Sequence, residues 1–110
     1  MSTLTERHCT PCEGEVKPLT REAAVSLMAQ LDPAWELSGD GSSIARGWKF
    51  RDFYRTMSFV NAVAHIANRE DHHPDIEAGY NHCRLRYTTH AIGGLSENDF
   101  ICAARIDQLL

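Results

Sequence analysis

Three histidines are placed where side chains can do chemistry. His72 and His73 stand just before Pro74, and His90 stands just before Gly93-Gly94. Both places read as loops at element ends, where catalytic groups concentrate. An imidazole gains or loses a proton near neutral pH, its unperturbed pKa being about 6.5. Two of them on opposite sides of a small organic substrate can serve as acid and base, each contributing roughly 10² to 10⁴ in rate. Pro74 fixes its own φ and stiffens the turn that presents His73. Asp71 is placed to orient an imidazole by accepting an N–H. The alternative is plain: a helix-exit segment with solvated imidazoles. A metal centre fits less well, since adjacent histidines rarely point at one ion and no HExxH spacing is present.

His8-Cys9-Thr10-Pro11-Cys12 is a second candidate. A CxxC pair can hold half a zinc site or act as a redox dithiol. Cys83 and Cys102 form no second CxxC, and no strand precedes the motif, so an incidental pair on a loose arm remains open. Cys83 and Cys102 fall on apolar faces and read as core residues. His65, within a helix, and His82, on the outer face of a strand, read as structural. Trp35 and Trp48 read as packing residues.

The elements that must position these groups follow from periodicity. Residues 1–18 lack it and read as an irregular N-terminal arm, with one domain over 19–110. Thr20 caps a helix from Arg21 whose apolar face is Ala23, Ala24, Leu27, Met28 and Leu31, stopped by Asp32-Pro33. Trp35–Ser38 and Ser43–Phe50 alternate around Gly39-Asp40-Gly41 and predict a hairpin. Arg51-Asp52 opens a helix to about Arg69. Its stripe is Phe53, Met57, Val60, Ala64 and Ala67, widened by Phe59, Val63 and Ile66. Strands follow over Ile76–Gly79 and Asn81–Thr88, with Cys83, Leu85 and Tyr87 facing inward. Thr89–Gly94 reads as a loop. Ser96-Glu97-Asn98-Asp99 resembles a capping box at the start of a last helix, which explains Asp99 without catalysis. The order α-β-β-α-β-β-α predicts an α+β fold, an antiparallel sheet with helices on one face. The other face and the sheet edges are left for solvent or a partner subunit.

Composition narrows the function classes. Fifteen acids against 11 bases give a formal net charge of −4. A domain built to grip nucleic acid is normally basic, so direct nucleic-acid binding is not expected. No stretch approaches 18 apolar residues, so no membrane span is expected. The first residues lack the apolar core of a secretory signal. Four cysteines then read as free thiols in a reducing cytoplasm.

The spacing His72-His73-Pro74, Tyr80, His90, Asp99 resembles that of the pterin-4a-carbinolamine dehydratases. Phe59-Val60-Asn61-Ala62-Val63, Tyr80-Asn81, Thr88-Thr89-His90 and Gly94-Leu95-Ser96-Glu97-Asn98-Asp99-Phe100 also match that pattern, which covers nearly the whole chain. The Cys9/Cys12 start resembles a bacterial branch associated with phenylalanine hydroxylase. The resemblance implies a four-stranded antiparallel sheet with three helices on one face. It implies dehydration of 4a-hydroxytetrahydrobiopterin to quinonoid dihydropterin and water, recycling tetrahydropterin for aromatic amino acid hydroxylation. It implies His72, His73 and His90 as catalytic imidazoles, and Asp71, Pro74, Thr88, Thr89, Ala91 and Asp99 as residues lining or supporting the pocket. No metal and no cofactor are implied, and a homodimer or homotetramer is. Relatives in animals also act as a dimerisation cofactor of a transcription factor, which implies a binding or regulatory role as the competing reading. One position departs from the family. Members often carry an acid four residues before the first histidine, where this chain has Asn68. Glu70, two residues on, is about 200° further around a helix.

Overall fold

The computed structural model describes residues 3–10 and 17–110. Its elements are helix α1 (Arg21–Met28), strands β1 (Glu36–Leu37) and β2 (Ile44–Lys49), helix α2 (Phe53–Glu70), strands β3 (Asp75–Ala78) and β4 (His82–Tyr87), and helix α3 (Glu97–Asp107). Short 3-10 turns add Leu4–Glu6 and His90–Ile92. This is the expected α+β order, with a four-stranded antiparallel sheet.

Both expected hairpins form, and β2 joins them by pairing with β4, giving the strand order β1-β2-β4-β3. The register sets Ile44 opposite Tyr87, Arg46 opposite Leu85 and Trp48 opposite Cys83. Residues opposite one another share a sheet face. That face is the core face: Ile44, Trp48, Cys83, Leu85 and Tyr87 are buried against Phe59 and Val63 of α2 and Phe100 to Ala104 of α3. Trp35 and Trp48 meet edge to face at 5.7 Å. Asp107 of α3 ties this end shut by accepting from Trp35 Nε1 at 2.7 Å and from Arg46 at 2.8 Å.

Helix α1 and strand β1 fall well short of their expected limits, and α2 turns a partly different face to the core. Helix α1 ends at Met28 rather than Leu31. Gln30 and Leu31 donate to Leu27 and Met28 in tighter i→i−3 bonds, as the chain leaves the α region ahead of Pro33. Strand β1 keeps only Glu36 and Leu37 of the segment 35–38. On α2 the buried seam is Thr56, Phe59, Val63, Ala67 and Glu70, so the helix is rotated from the stripe read along the sequence. Phe53 is exposed, and Met57, Val60 and Ala64 are half-buried. Two adjacent apolar rows are available on this helix, and packing against β4 and α3 selects one of them.

The N-terminal segment docks on the domain. Leu4 is buried in the core, the Arg7 carbonyl accepts from Arg105, and the Leu4–Glu6 turn packs on α3. Among the described residues no helix is long and apolar enough to cross a membrane.

Candidate active site

The end of α2 aims the first histidine. Asp52 starts this helix by accepting from Arg55 N at 2.8 Å. At the other end Asp71 adopts the left-handed conformation, with φ 50° and ψ 43°. Its N–H reaches the Asn68 carbonyl, and the His72 N–H reaches Ala67 O at 3.1 Å. These are the paired bonds of a Schellman motif, made here with Asp, one of the few non-glycine residues that tolerate this backbone. The chain reverses within one residue and His72 turns back onto the body of the domain, while His73 stays exposed.

The His72 ring stacks on Tyr87 of β4, with centroids 5.7 Å apart and planes 7° from parallel. Its Nε2 lies 2.6 Å from Asp99 Oδ1. Asp99 is fully buried. Its other oxygen accepts from Thr89 Oγ1 at 2.8 Å and from the Ser96 N–H at 3.0 Å. One carboxylate therefore caps α3 and orients the imidazole at once. Burial opposes protonation of His72, but the hydrogen bond and charge of Asp99 outweigh it and hold the pKa above the ordinary histidine value.

Asp71, expected to orient an imidazole, does not do so. It is exposed and serves the helix turn, and the orienting carboxylate is Asp99.

A cavity of about 580 Å³ opens over this pair. Its wall contains Asp71, His72, His73, Thr88, Thr89, His90 and Ala91. His90 arrives on the 3-10 turn after β4, closed by Gly93 at φ 69° and by the bridge between Thr89 and Gly94. Asp99 lies behind His72 rather than on the wall, and Pro74 sits in the turn into β3. His8, His65 and His82 are exposed and do not line the cavity. His8 nevertheless touches its edge, through Glu70 Oε2 at 3.1 Å.

Four further residues line the cavity: Cys9, Thr10, Glu70 and Asn98. Glu70, not Asn68, supplies a carboxylate here. It is the last residue of α2 and is buried, whereas Asn68 is exposed. It accepts from the Cys9 N–H at 2.9 Å. Burial alone would raise its pKa, yet the bonds from Cys9 and His8 and the nearby Arg105 bring it below the usual glutamate value. Asn98 grips the same arm on both sides: its amide donates to Thr10 O at 2.6 Å, and its carbonyl oxygen accepts from Thr10 N at 3.0 Å. Sequence periodicity carries no signal for these contacts, because the arm has none. Cys12, the second half of the CxxC motif, lies outside the described residues.

Glu70→Ala would leave the Cys9 N–H without its acceptor, a loss of about 1 to 2 kcal/mol in arm docking. The expected result is faster proteolytic clipping of the arm with the rest of the domain intact. Unchanged clipping would mean that Glu70 does not hold it.

The cavity is built on a chain whose relatives are plain to see. Residues 17–109 match the family model described as pterin 4 alpha carbinolamine dehydratase. A protein of Nitrosomonas eutropha, provisionally named pterin-4-alpha-carbinolamine dehydratase, is 57% identical over 97% of this chain and 93% of its own length. A Legionella pneumophila protein of the same provisional name is 52% identical over 99% and 96%. Among solved structures, a transcriptional coactivator/pterin dehydratase from Brucella melitensis superposes with a TM-score of 0.79 at 28% identity, covering 84% of this chain and 98% of its own. A pterin dehydratase-like protein described as a RuBisCO assembly factor of the alpha-carboxysome shares the fold, with a TM-score of 0.60 at 23% identity over 69% of this chain and 88% of its own. The match spans every element that carries the cavity's histidines, and the chain belongs to the pterin-4a-carbinolamine dehydratases, hydro-lyases that act on a pterin.

Proposed function

We propose that His72, His73 and His90 carry out the dehydration of 4a-hydroxytetrahydropterin in this cavity by acid–base catalysis. The observation that carries the reading is the buried Asp99–His72 pair opening on a cavity that His73 and His90 also line. Hydroxide is a poor leaving group from C4a, so its oxygen must gain a proton as the C–O bond breaks. N5–H must lose one, and the electron pair it leaves forms the N5=C4a double bond. Products are quinonoid dihydropterin and water, with no net change in protons. His72, whose protonated form Asp99 favours, suits the acid role. His73 or His90, which line the same cavity, suits the base. Asp71, Thr88, Thr89 and Ala91 bound the substrate, and Pro74 stiffens the turn behind His73.

Setting this reaction in the cytoplasm beside an aromatic amino acid hydroxylase follows from the same reading, since the product re-enters the tetrahydropterin pool. A homodimer or homotetramer also fits. Strand β3 is a sheet edge with Ile76 exposed on it, and Phe53, Tyr54 and Tyr80 are exposed as well, Phe53 and Tyr80 meeting edge to face at 6.4 Å. Light scattering should give a mass of at least a dimer at micromolar concentration.

The test is loss of 4a-carbinolamine, followed spectroscopically against the spontaneous rate. Wild type should accelerate it, and His90→Ala should lower kcat/KM by roughly 100-fold. Full activity in the His90→Ala variant would remove that residue from the chemistry. The Brucella relative is described as a transcriptional coactivator as well as a dehydratase, which motivates a second reading as a regulatory partner. A chain that shows no acceleration yet co-purifies with a regulator would favour it.

A further inference from the structure

The Cys9 Sγ lies 3.6 Å from the Cys102 Sγ, although 93 residues separate them. Cys9 is half-buried on the cavity wall, while Cys102 is fully buried one turn beyond Asp99 on α3. The arm is held there by independent contacts: Cys9 N on Glu70, Thr10 on both ends of the Asn98 amide, and Leu4 in the core. Two thiols from distant parts of the chain are thus held in van der Waals contact, one of them open to small solutes entering the cavity. We propose that Cys9 and Cys102 form a peroxide-reactive dithiol, a modification site that closes to a disulfide and fastens the arm to α3 beside His72.

The step balances with hydrogen peroxide as oxidant. The pair loses a proton, and the anionic sulfur attacks one peroxide oxygen. The O–O bond breaks, leaving a sulfenic acid, and the departing hydroxide takes up that proton to become water. The second sulfur then displaces the hydroxyl from the first. An S–S bond forms, and the hydroxyl leaves with the second thiol's proton as another water. Two thiols are oxidised and one peroxide is reduced. Closure needs the sulfurs to approach from 3.6 Å to about 2.05 Å, a shift that an arm without regular secondary structure at Cys9 can supply. Hydrogen bonding within the pair draws the Cys102 thiol below its ordinary pKa and, together with burial, pushes the Cys9 thiol above its own.

The experiment treats the full-length chain with graded hydrogen peroxide, blocks remaining thiols, and maps peptides without reduction. The proposal expects a Cys9–Cys102 cross-link lighter by two hydrogens, present in wild type and in Cys12→Ser. It expects the link to be absent in Cys9→Ser and Cys102→Ala, and to form several-fold more slowly in Glu70→Ala, where both thiols remain. The linked protein should melt higher by roughly 5 °C or more, and thioredoxin should reverse the shift. A Cys9–Cys12 link, or Cys9 over-oxidised while Cys102 stays a free thiol, would overturn the proposal. So would a link formed without any rise in melting temperature, because it would arise only from chains whose arm has left its native seat.

Discussion

Replacing His72 by alanine is expected to lower kcat/KM for carbinolamine dehydration by about 100-fold or more, the ordinary worth of one positioned acid or base. The residue earns this weight through geometry. Its ring is clamped between the Tyr87 face and the Asp99 carboxylate, so little motion is left to be frozen when substrate binds. His73 and His90 stand exposed on the cavity wall without such a clamp, and their removal should cost no more. The pH profile carries a second signature. Because Asp99 holds the His72 pKa above its ordinary value, the limb reporting this group should lie above about pH 6.5 in wild type and move to lower pH in Asp99→Asn. NMR titration of the imidazole checks the same shift without turnover. The linkage follows in sign. A raised folded-state pKa means stabilisation that is complete below about pH 6.5 and is lost as pH rises through the folded value. An unshifted imidazole, or a His72→Ala enzyme at wild-type rate, would defeat the assignment.

Asp99→Ala is expected to cost about 3 kcal/mol of stability and roughly 10 °C or more in melting temperature. Three groups lose their acceptor at once: His72 Nε2, Thr89 Oγ1 and the Ser96 N–H at the start of α3. Solvent cannot replace it, since the carboxylate is fully buried and unsatisfied buried donors are costly. Asp99→Asn retains the volume and one acceptor oxygen. It should lose less stability than the alanine variant, and should still lose activity because the His72 proton is no longer held by charge. Urea or thermal unfolding of both variants separates these effects. A loss below about 1 kcal/mol for Asp99→Ala would mean that water or a rearranged cap takes over the site.

Much of the frame is legible locally. Thr20, Asp52 and Ser96 each stand where a helix begins, because capping is a contact between residues three apart. Alternation in His82–Tyr87 assigns Cys83, Leu85 and Tyr87 to the core, and all three are buried. The α2 seam was legible only in part: Phe59, Val63 and Ala67 lie in the expected stripe and are buried, whereas Thr56 and Glu70 were not expected there. Its sequence offers two neighbouring apolar rows, and only the partners across the core distinguish them. Asp71 misled for a similar reason: adjacency to His72 promised an orienting carboxylate, but the backbone reversal at Asp71 turned its side chain to solvent.

The sequence by itself determined the order of elements, the presence of three imidazoles at their ends and the family to which the chain belongs. These depend on periodicity, capping and spacing along the chain. Tertiary structure alone decided that Asp99 serves His72 from 27 residues away, that Glu70 seats the arm, and that Cys9 meets Cys102. Those contacts exist only after β4 and α3 close on the end of α2, and no local pattern encodes a distance that the chain creates by folding.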